Sequence, residues 1–161
     1  MIVVADTSPI NYLIVIGHIE ILPEIYREIT VPQAVLEELR DIEAPAKVRD
    51  WLSALPAWLH VDSSIFPADA LLDRLDRGER DAILLAEAIR ADRLVMDDLD
   101  GRREAENRNL AVIGTLGILA EAGRRKLLDL SQALAALQAT NFHASPALIE
   151  RLLRREANRQ N

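Results

Sequence analysis

The chain has 161 residues, of which 50% are hydrophobic and only 4% aromatic, and its formal net charge is −7. This length favours one domain with a sizeable core, and the absence of cysteine excludes disulfides, thiolate metal sites and a thiol nucleophile. There is no apolar run long enough for a transmembrane helix and no recognisable signal peptide, so we expect a cytoplasmic protein without membrane contact.

The first half of the chain alternates between strand and helix signals. Ile2 to Val4 form a short apolar run that predicts a buried strand. Ser8 and Pro9 then predict a helix start, with Thr7 or Ser8 as the N-cap. This first helix is predicted to continue over 10–16. Prolines and apolar spacing predict further helices at 19–26, 32–39 and 45–52, and strands at 28–31 and 59–61.

The second half continues the same alternation. Helices are predicted at 67–75, 79–89, 101–107, 114–123, from 127 onward and from 146 onward, and strands at 93–96 and 111–113. Strands that alternate with helices predict an α/β domain with a mostly parallel sheet. We expect residues 1–140 to form this domain, and residues 141–161 to form an Arg-rich helix that could be an arm of it.

Acidic residues stand at the ends of these predicted elements. They are Asp6, Glu37, Glu79 with Asp81, and Asp97 with Asp98 and Asp100. The carboxyl ends of parallel strands share one edge of a sheet, so we expect these groups to converge there. Carboxylates that converge repel each other and titrate as a coupled set. A hard cation such as Mg²⁺ relieves that repulsion, and it can activate water and neutralise charge on a phosphodiester.

Each acid also has a plainer interpretation. Asp6 could cap the first helix, Glu37 could lie on a solvated face, and Glu79 and Asp81 could complement a helix dipole. The segment 97–100 could be a capped turn. The net charge of −7 is a further objection to nucleic-acid binding, although it weakens if the acids hold cations. Their coincidence at one predicted edge favours a functional site.

Several stretches resemble the motifs of PIN domains. These are V-A-D-T-S-P, V-P-Q-A-V-L-E-E-L, G-E-R-D-A-I-L-L-A and L-V-M-D-D-L-D-G-R-R. The stretch A-V-I-G-T-L-G-I-L is similar to a subgroup related to VapC-type toxin ribonucleases of toxin–antitoxin pairs. The resemblance covers about residues 2–130. It implies a three-layer α/β/α sandwich and an Mg²⁺- or Mn²⁺-dependent endoribonuclease that hydrolyses RNA without a covalent intermediate.

The resemblance also implies roles for individual residues. The catalytic, metal-binding acids carry over to Asp6, Glu37, Asp81 and either Asp97 or Asp98, and Glu79 is a further acid close to Asp81. Hydrogen bonds that position an acid, a water or a phosphate would come from Thr7, Ser8 and Thr115. Independently of the resemblance, Arg102 and Arg103 are candidates for phosphate contacts because they follow the acidic turn. An exposed helix with solvated arginines is at least as good an interpretation.

The resemblance implies protein partners as well as RNA. A small antitoxin would cover the acidic pocket, often with an arginine side chain, and a homodimer is also expected. The apolar residues of segment 10–26 could form either contact, although packing in the core is the commoner explanation for such residues.

Three other functions compete with the nuclease. A phosphatase with Asp6 as nucleophile is disfavoured, because Ser8 stands where the second acid of that pattern would be. A dinucleotide-binding domain lacks the glycine-rich turn after the first strand. The stronger alternative is a PIN-like module that binds a partner and has little or no nuclease activity, which the negative net charge favours.

Overall fold

The computed structural model describes residues 1–160, and these contain a five-stranded sheet in which every pairing is parallel. The strands are β1 (Val3–Ala5), β2 (Ile29–Pro32), β3 (Leu59–Asp62), β4 (Arg93–Val95) and β5 (Val112–Ile113). Their order across the sheet is β3-β2-β1-β4-β5. The predicted α/β class is confirmed, and β1 lies at the centre of the sheet.

Helices cover both faces of the sheet. They are α1 (Thr7–Val15), α2 (Ile21–Tyr26), α3 (Gln33–Leu39), α4 (Ala46–Leu52), α5 (Arg77–Ala88), α6 (Leu99–Asn107), α7 (Thr115–Arg124), α8 (Leu130–Gln138) and α9 (Pro146–Gln160). Successive strand residues point to opposite faces. Val4 therefore packs in a core with α5 and α6, whereas Val3 and Ala5 pack in a core with the other helices. This arrangement confirms the three-layer sandwich.

The prediction of a helix at 67–75 is wrong. The structure has only a single 3-10 turn there, Ala70–Leu72, and the rest of the segment is irregular. The Asp69 carboxylate caps this turn by accepting a hydrogen bond from the backbone N–H of Leu71 at 3.1 Å, and it also binds the guanidinium of Arg108 at 2.9 Å. Leu72 is buried, while the side chain of Leu71 is 73% exposed. Contacts with distant parts of the chain, rather than helical periodicity, fix this segment.

The C-terminal helix α9 packs on α7 and α8. Ile149 is buried in the larger core, and Leu152 and Leu153 pack against that core. The connection between α8 and α9 brings Phe142 against Tyr12 of α1. A domain boundary near residue 140 stays a prediction. Within residues 1–160 none of the helices combines the length and apolar character needed to span a bilayer.

Candidate active site

Asp6 lies at the carboxyl end of the central strand β1, and its backbone N–H donates to the carbonyl of Val95 on β4 at 2.9 Å. It occupies the N-cap position of α1, yet its side chain makes no capping hydrogen bond. The side chain is 2% exposed, and within residues 1–160 its Oδ1 atom has no hydrogen-bond partner. Burial raises the pKa of Asp6 well above its ordinary value, and the nearby carboxylates Asp76, Glu79 and Glu38 add to this effect. Neither capping nor packing accounts for such a group.

Asp97 follows β4 and reaches the same edge of the sheet. Its Oδ1 accepts the backbone N–H of Thr115 at 2.8 Å, and its Oδ2 accepts the Thr115 hydroxyl at 2.7 Å. The hydroxyl of Ser8 donates to Oδ2 at 3.3 Å. A Cβ atom at Gly114 would lie only 2.9 Å from Oδ1. These contacts fix the orientation of Asp97, and they require a glycine before Thr115.

Asp98 is the N-cap of α6, where its Oδ2 accepts the backbone N–H of Gly101 at 2.8 Å. The capped-turn interpretation of segment 97–100 therefore describes Asp98. Its neighbour Asp97 is held by α1 and α7 instead. Both residues nevertheless line the same groove as Asp6.

Glu79 reaches the groove because α5 begins at Arg77, two residues before the predicted start. Asp76 is the N-cap and forms a capping box with Glu79, in which the Glu79 N–H donates to Asp76 Oδ1 at 2.8 Å. The Asp76 N–H donates to Glu79 Oε2 at 3.1 Å. Burial, together with the charges of Asp76 and Asp98, raises the pKa of Glu79 from 4.5 to about 7. A carboxyl with this pKa lies in surroundings that disfavour its charged form.

Glu38, rather than Glu37, faces the start of α1. Its carboxylate accepts a hydrogen bond from the Thr7 hydroxyl and another from the backbone N–H of Gly78 at 2.9 Å. Burial raises the pKa of Glu38. A Cβ atom at position 78 would overlap the Glu38 carboxylate, so glycine is needed for this approach. Glu38 thus ties α3 to the first turns of α1 and α5.

The spacing of the apolar residues in α3 indicates that Glu38, rather than Glu37, faces inward. Ala34, Val35 and Leu39 are buried, and residues spaced three or four apart share one face of a helix. Glu38 belongs to that buried face. Glu37 is exposed and forms an ion pair with Arg77 at 2.5 Å.

Three predicted site residues lie away from Asp6. Glu37 is on the exposed face of α3. Asp81 lines a separate cavity of about 550 Å³, together with Arg77 and Arg80. Arg103 lines a smaller cavity beside the 3-10 turn.

The other predicted residues meet at one groove of about 760 Å³. One end of this acid groove is lined by Asp6, Ser8, Glu79, Asp97, Asp98 and Arg102. Thr7 and Thr115 stand behind it, and Thr115 is fully buried. The rest of the lining, called here the apolar end, is mostly apolar and aromatic and includes Tyr12 and Phe142. The groove has the mixed lining typical of ligand sites.

Comparison with protein families identifies the family of this chain. The model of the family DUF3368, described as a PIN domain, matches residues 2–158. The chain belongs to the PIN domain family. PIN domains are generally nucleases, and they typically use divalent metal ions. Neither the curated proteins nor the solved structures contain a match to this PIN domain. Membership of the VapC-related subgroup stays a prediction.

The acid groove of this PIN domain offers the ligand chemistry of a hard cation. Within residues 1–160, no three Asp, Glu or His side chains are close enough to form a ready-made metal site. However, Mg²⁺ is commonly held by one or two carboxylates while it keeps several waters, so a cluster of three is not required. The buried Oδ1 of Asp6, which lacks a partner, is the donor that best fits a cation.

Proposed function

We propose that this PIN domain is a metal-dependent endoribonuclease that hydrolyses RNA phosphodiester bonds at the acid groove. The observation that carries the proposal is the buried, unpartnered oxygen of Asp6 among other acids. Within residues 1–160, Asp6, Glu79, Asp97 and Asp98 form no ion pair. The site is proposed to consist of these four residues, so Glu79 takes the place of Asp81.

The side chains divide into ligands and positioning residues. Asp6 would bind Mg²⁺ or Mn²⁺ directly through its unpartnered oxygen, and Glu79, Asp97 and Asp98 would hold the waters that the cation keeps. When bound, the cation would activate water and offset the negative charge that develops on the phosphate. Glu38 is proposed as a positioning residue in place of Glu37, because its carboxylate is already engaged by Thr7 and Gly78.

Residues around the ligands orient the acids and the substrate. Thr115 is fully buried and donates to Asp97, so it positions that carboxylate and does not reach the RNA. Ser8 both contacts Asp97 and lines the groove. Arg102 lines the groove near Asp97 and supplies a positive charge suited to a phosphate oxygen. Arg103 lies outside the groove and is not included in the proposed site.

The toxin role belongs to the same proposal, with a small antitoxin as partner, and only the family-like stretch at 111–119 supports it. Ile10, Leu13 and Leu22 are fully buried in the core, so they are not available to the proposed antitoxin or homodimer contact. Val15 of α1 and Ile25 of α2 are only partly buried. The second candidate is a partner-binding module with little or no nuclease activity. The net charge of −7 favours it.

Cleavage of a mixed RNA pool by purified protein in Mn²⁺, with EDTA as the metal-free control, tests the proposal. We expect Asp6→Asn and Glu79→Gln to lose activity by about 100-fold or more, since each removes charge from the proposed cation site. Asp81→Asn and Glu37→Gln are the matched controls and should stay close to wild type. Loss of activity in the two controls, with Glu79→Gln still active, would overturn the proposed site.

A thermal unfolding series separates the two candidate functions. At a Mn²⁺ concentration of about 100 times Kd, binding stabilises a protein by about 2.7 kcal/mol. For a chain of this size that raises Tm by about 5–10 °C. We expect this shift in wild type and in Asp81→Asn, but not in Asp6→Asn. A wild type that shows neither the shift nor metal-dependent cleavage would overturn the nuclease proposal and favour the partner-binding module.

A further inference from the structure

We propose that the apolar end of the groove is a base-stacking subsite, which binds an unpaired nucleobase of the RNA next to the phosphate that is cut. The subsite consists of Tyr12, Asn141, Phe142, His143 and Leu152. The proposal rests on the ribonuclease function proposed above, and it adds the part of the substrate that the protein recognises.

The aromatic side chains of the subsite are held in place before any ligand arrives. The rings of Tyr12 and Phe142 pack edge to face, with centroids 5.0 Å apart and an interplanar angle of 88°. The Tyr12 hydroxyl donates to Asn141 Oδ1 at 2.8 Å. Rigid aromatic side chains provide contact area at a low cost in conformational entropy. The contact with Tyr12 uses the carbonyl of the Asn141 amide, so its N–H groups remain available to the edge of a base.

The subsite and the acids share one continuous groove, so a nucleotide can occupy both parts at once. The groove volume of about 760 Å³ lies within the usual range for ligand pockets. Proteins that read RNA sequence mainly bind unpaired bases, which they stack on aromatic side chains. The chain contains two Trp, two Tyr and two Phe residues, and one Tyr and one Phe meet beside the acids.

The electrostatics of the groove favour base contacts over phosphate contacts as the source of affinity. Most RNA-binding proteins gain affinity from a basic surface that neutralises phosphates. Here the net charge is −7, and Arg102 stands among four acids at the groove. Stacking of a base on an aromatic ring does not depend on protein charge, and it contributes to binding for any base. Stacking on the aromatic side chains would therefore supply binding affinity that the acidic groove does not gain from basic residues.

Fluorescence of a short single-stranded RNA that contains 2-aminopurine tests the subsite, because stacking quenches this base. Binding is measured in EDTA, where no cleavage is expected, and KM and kcat are measured in Mn²⁺ with the same RNA. We expect Tyr12→Leu and Phe142→Leu to abolish the quenching and to raise KM by about 10-fold, with kcat nearly unchanged. Tyr12→Phe retains a ring and should retain the quenching. Phe66→Leu, at an aromatic residue of the separate cavity beside α5, is the matched control.

The outcomes distinguish this subsite from the ribonuclease function itself. If wild type cleaves RNA with metal, but the two leucine variants keep its KM and quenching, the subsite is overturned and the groove fits an apolar side chain of a protein partner better. Equal binding of an RNA that is abasic at the probe position would also overturn it. If wild type shows no metal-dependent cleavage, the ribonuclease proposal fails and the subsite fails with it. Tyr12→Leu carries the test if Phe142→Leu does not fold.

Discussion

Carboxylates cluster at two places in this PIN domain, and the two clusters differ in their ion pairs. Around Arg108, the guanidinium binds Asp69 at 2.9 Å and Glu87 and Glu104 at 3.0 Å each. In the acid groove no carboxylate forms an ion pair within the described residues 1–160. One cluster thus contains its own cation, whereas the other is the proposed site for a cation from solution.

The titration behaviour of the two clusters differs in the same direction. The hydrogen bond from Arg108 is the largest effect that lowers the pKa of Asp69. In the groove, burial raises the pKa of Asp6 and brings that of Glu79 to about 7. Asp69, which is paired with Arg108, favours its charged form. Asp6, which is buried with one oxygen unpartnered, costs stability, and the proposed cation site gives a reason for its presence.

The largest effect on stability is expected when Arg108 is replaced by an uncharged residue. The Arg108 side chain is only 13% exposed, so Arg108→Met leaves three neighbouring carboxylates without a counter-charge. We expect Tm to fall by about 5 °C or more, with the rise in Tm on Mn²⁺ addition preserved. Arg108→Lys should lose less, because it keeps a charge without the planar fork. A loss of the Mn²⁺ response in Arg108→Met would show that the two clusters are not independent.

A smaller effect on stability is expected when either of the two neighbouring glutamates of α3 is replaced by alanine. Glu38→Ala leaves the Thr7 hydroxyl and the Gly78 N–H without their acceptor, which costs about 1–2 kcal/mol. Glu37→Ala breaks an exposed ion pair, which is worth about 0.5 kcal/mol. Urea unfolding of the two variants compares these values directly. Equal costs, or the reverse order, would contradict the assignment of Glu38 as the buried tie between α1, α3 and α5.

The smallest effect is the pH dependence of stability without metal. The pKa of Glu79 is about 7 in the fold and 4.5 ordinarily, so folding favours its protonated form. Its contribution to stability is complete below pH of about 4.5 and is lost as pH rises through about 7. We expect Tm to fall by a few degrees between pH 5 and 8 in wild type, and to fall less in Glu79→Gln.

Asp69→Asn is the control for this experiment. Because the pKa of Asp69 is lowered, its contribution is lost only as pH falls through the acidic range, so this variant should keep the wild-type slope near pH 7. Mn²⁺ should flatten the slope, since a cation favours the charged carboxylates. A metal-free wild type that becomes more stable from pH 5 to 8, relative to Glu79→Gln, would contradict the prediction.

The sheet and the first acids could be predicted because the signals for them are local. Short apolar runs, each followed by a helix start, define β1 and β4, and parallel pairing then brings Asp6 and Asp97 to one edge. The position of an acid on a helix is harder to predict. Glu37 and Glu38 differ by about 100° around α3, and the packing of Val35 and Leu39 determines which one faces inward.

The second difference from the sequence prediction is that Glu79, rather than Asp81, lines the acid groove. The beginning of α5 explains it. The apolar pattern indicates the body of this helix but not its first turn, which the capping box of Asp76 and Glu79 sets. That box places Glu79 beside Asp6, while Asp81 lies on the side of the separate cavity. The aromatic end of the groove could not be predicted at all, because Tyr12 and Asn141 are 129 positions apart and no local pattern connects them.

The two ends of the groove are encoded in different parts of the chain. The acids follow β1 and β4 or begin α5, whereas Asn141, Phe142 and His143 belong to the connection between α8 and α9. Under the proposed function, substitutions in that connection would alter the choice of RNA without changing the acids at the strand ends. Natural selection could then retain those acids while the connection diverges between related proteins. An engineer could exchange the same few residues to redirect the proposed activity.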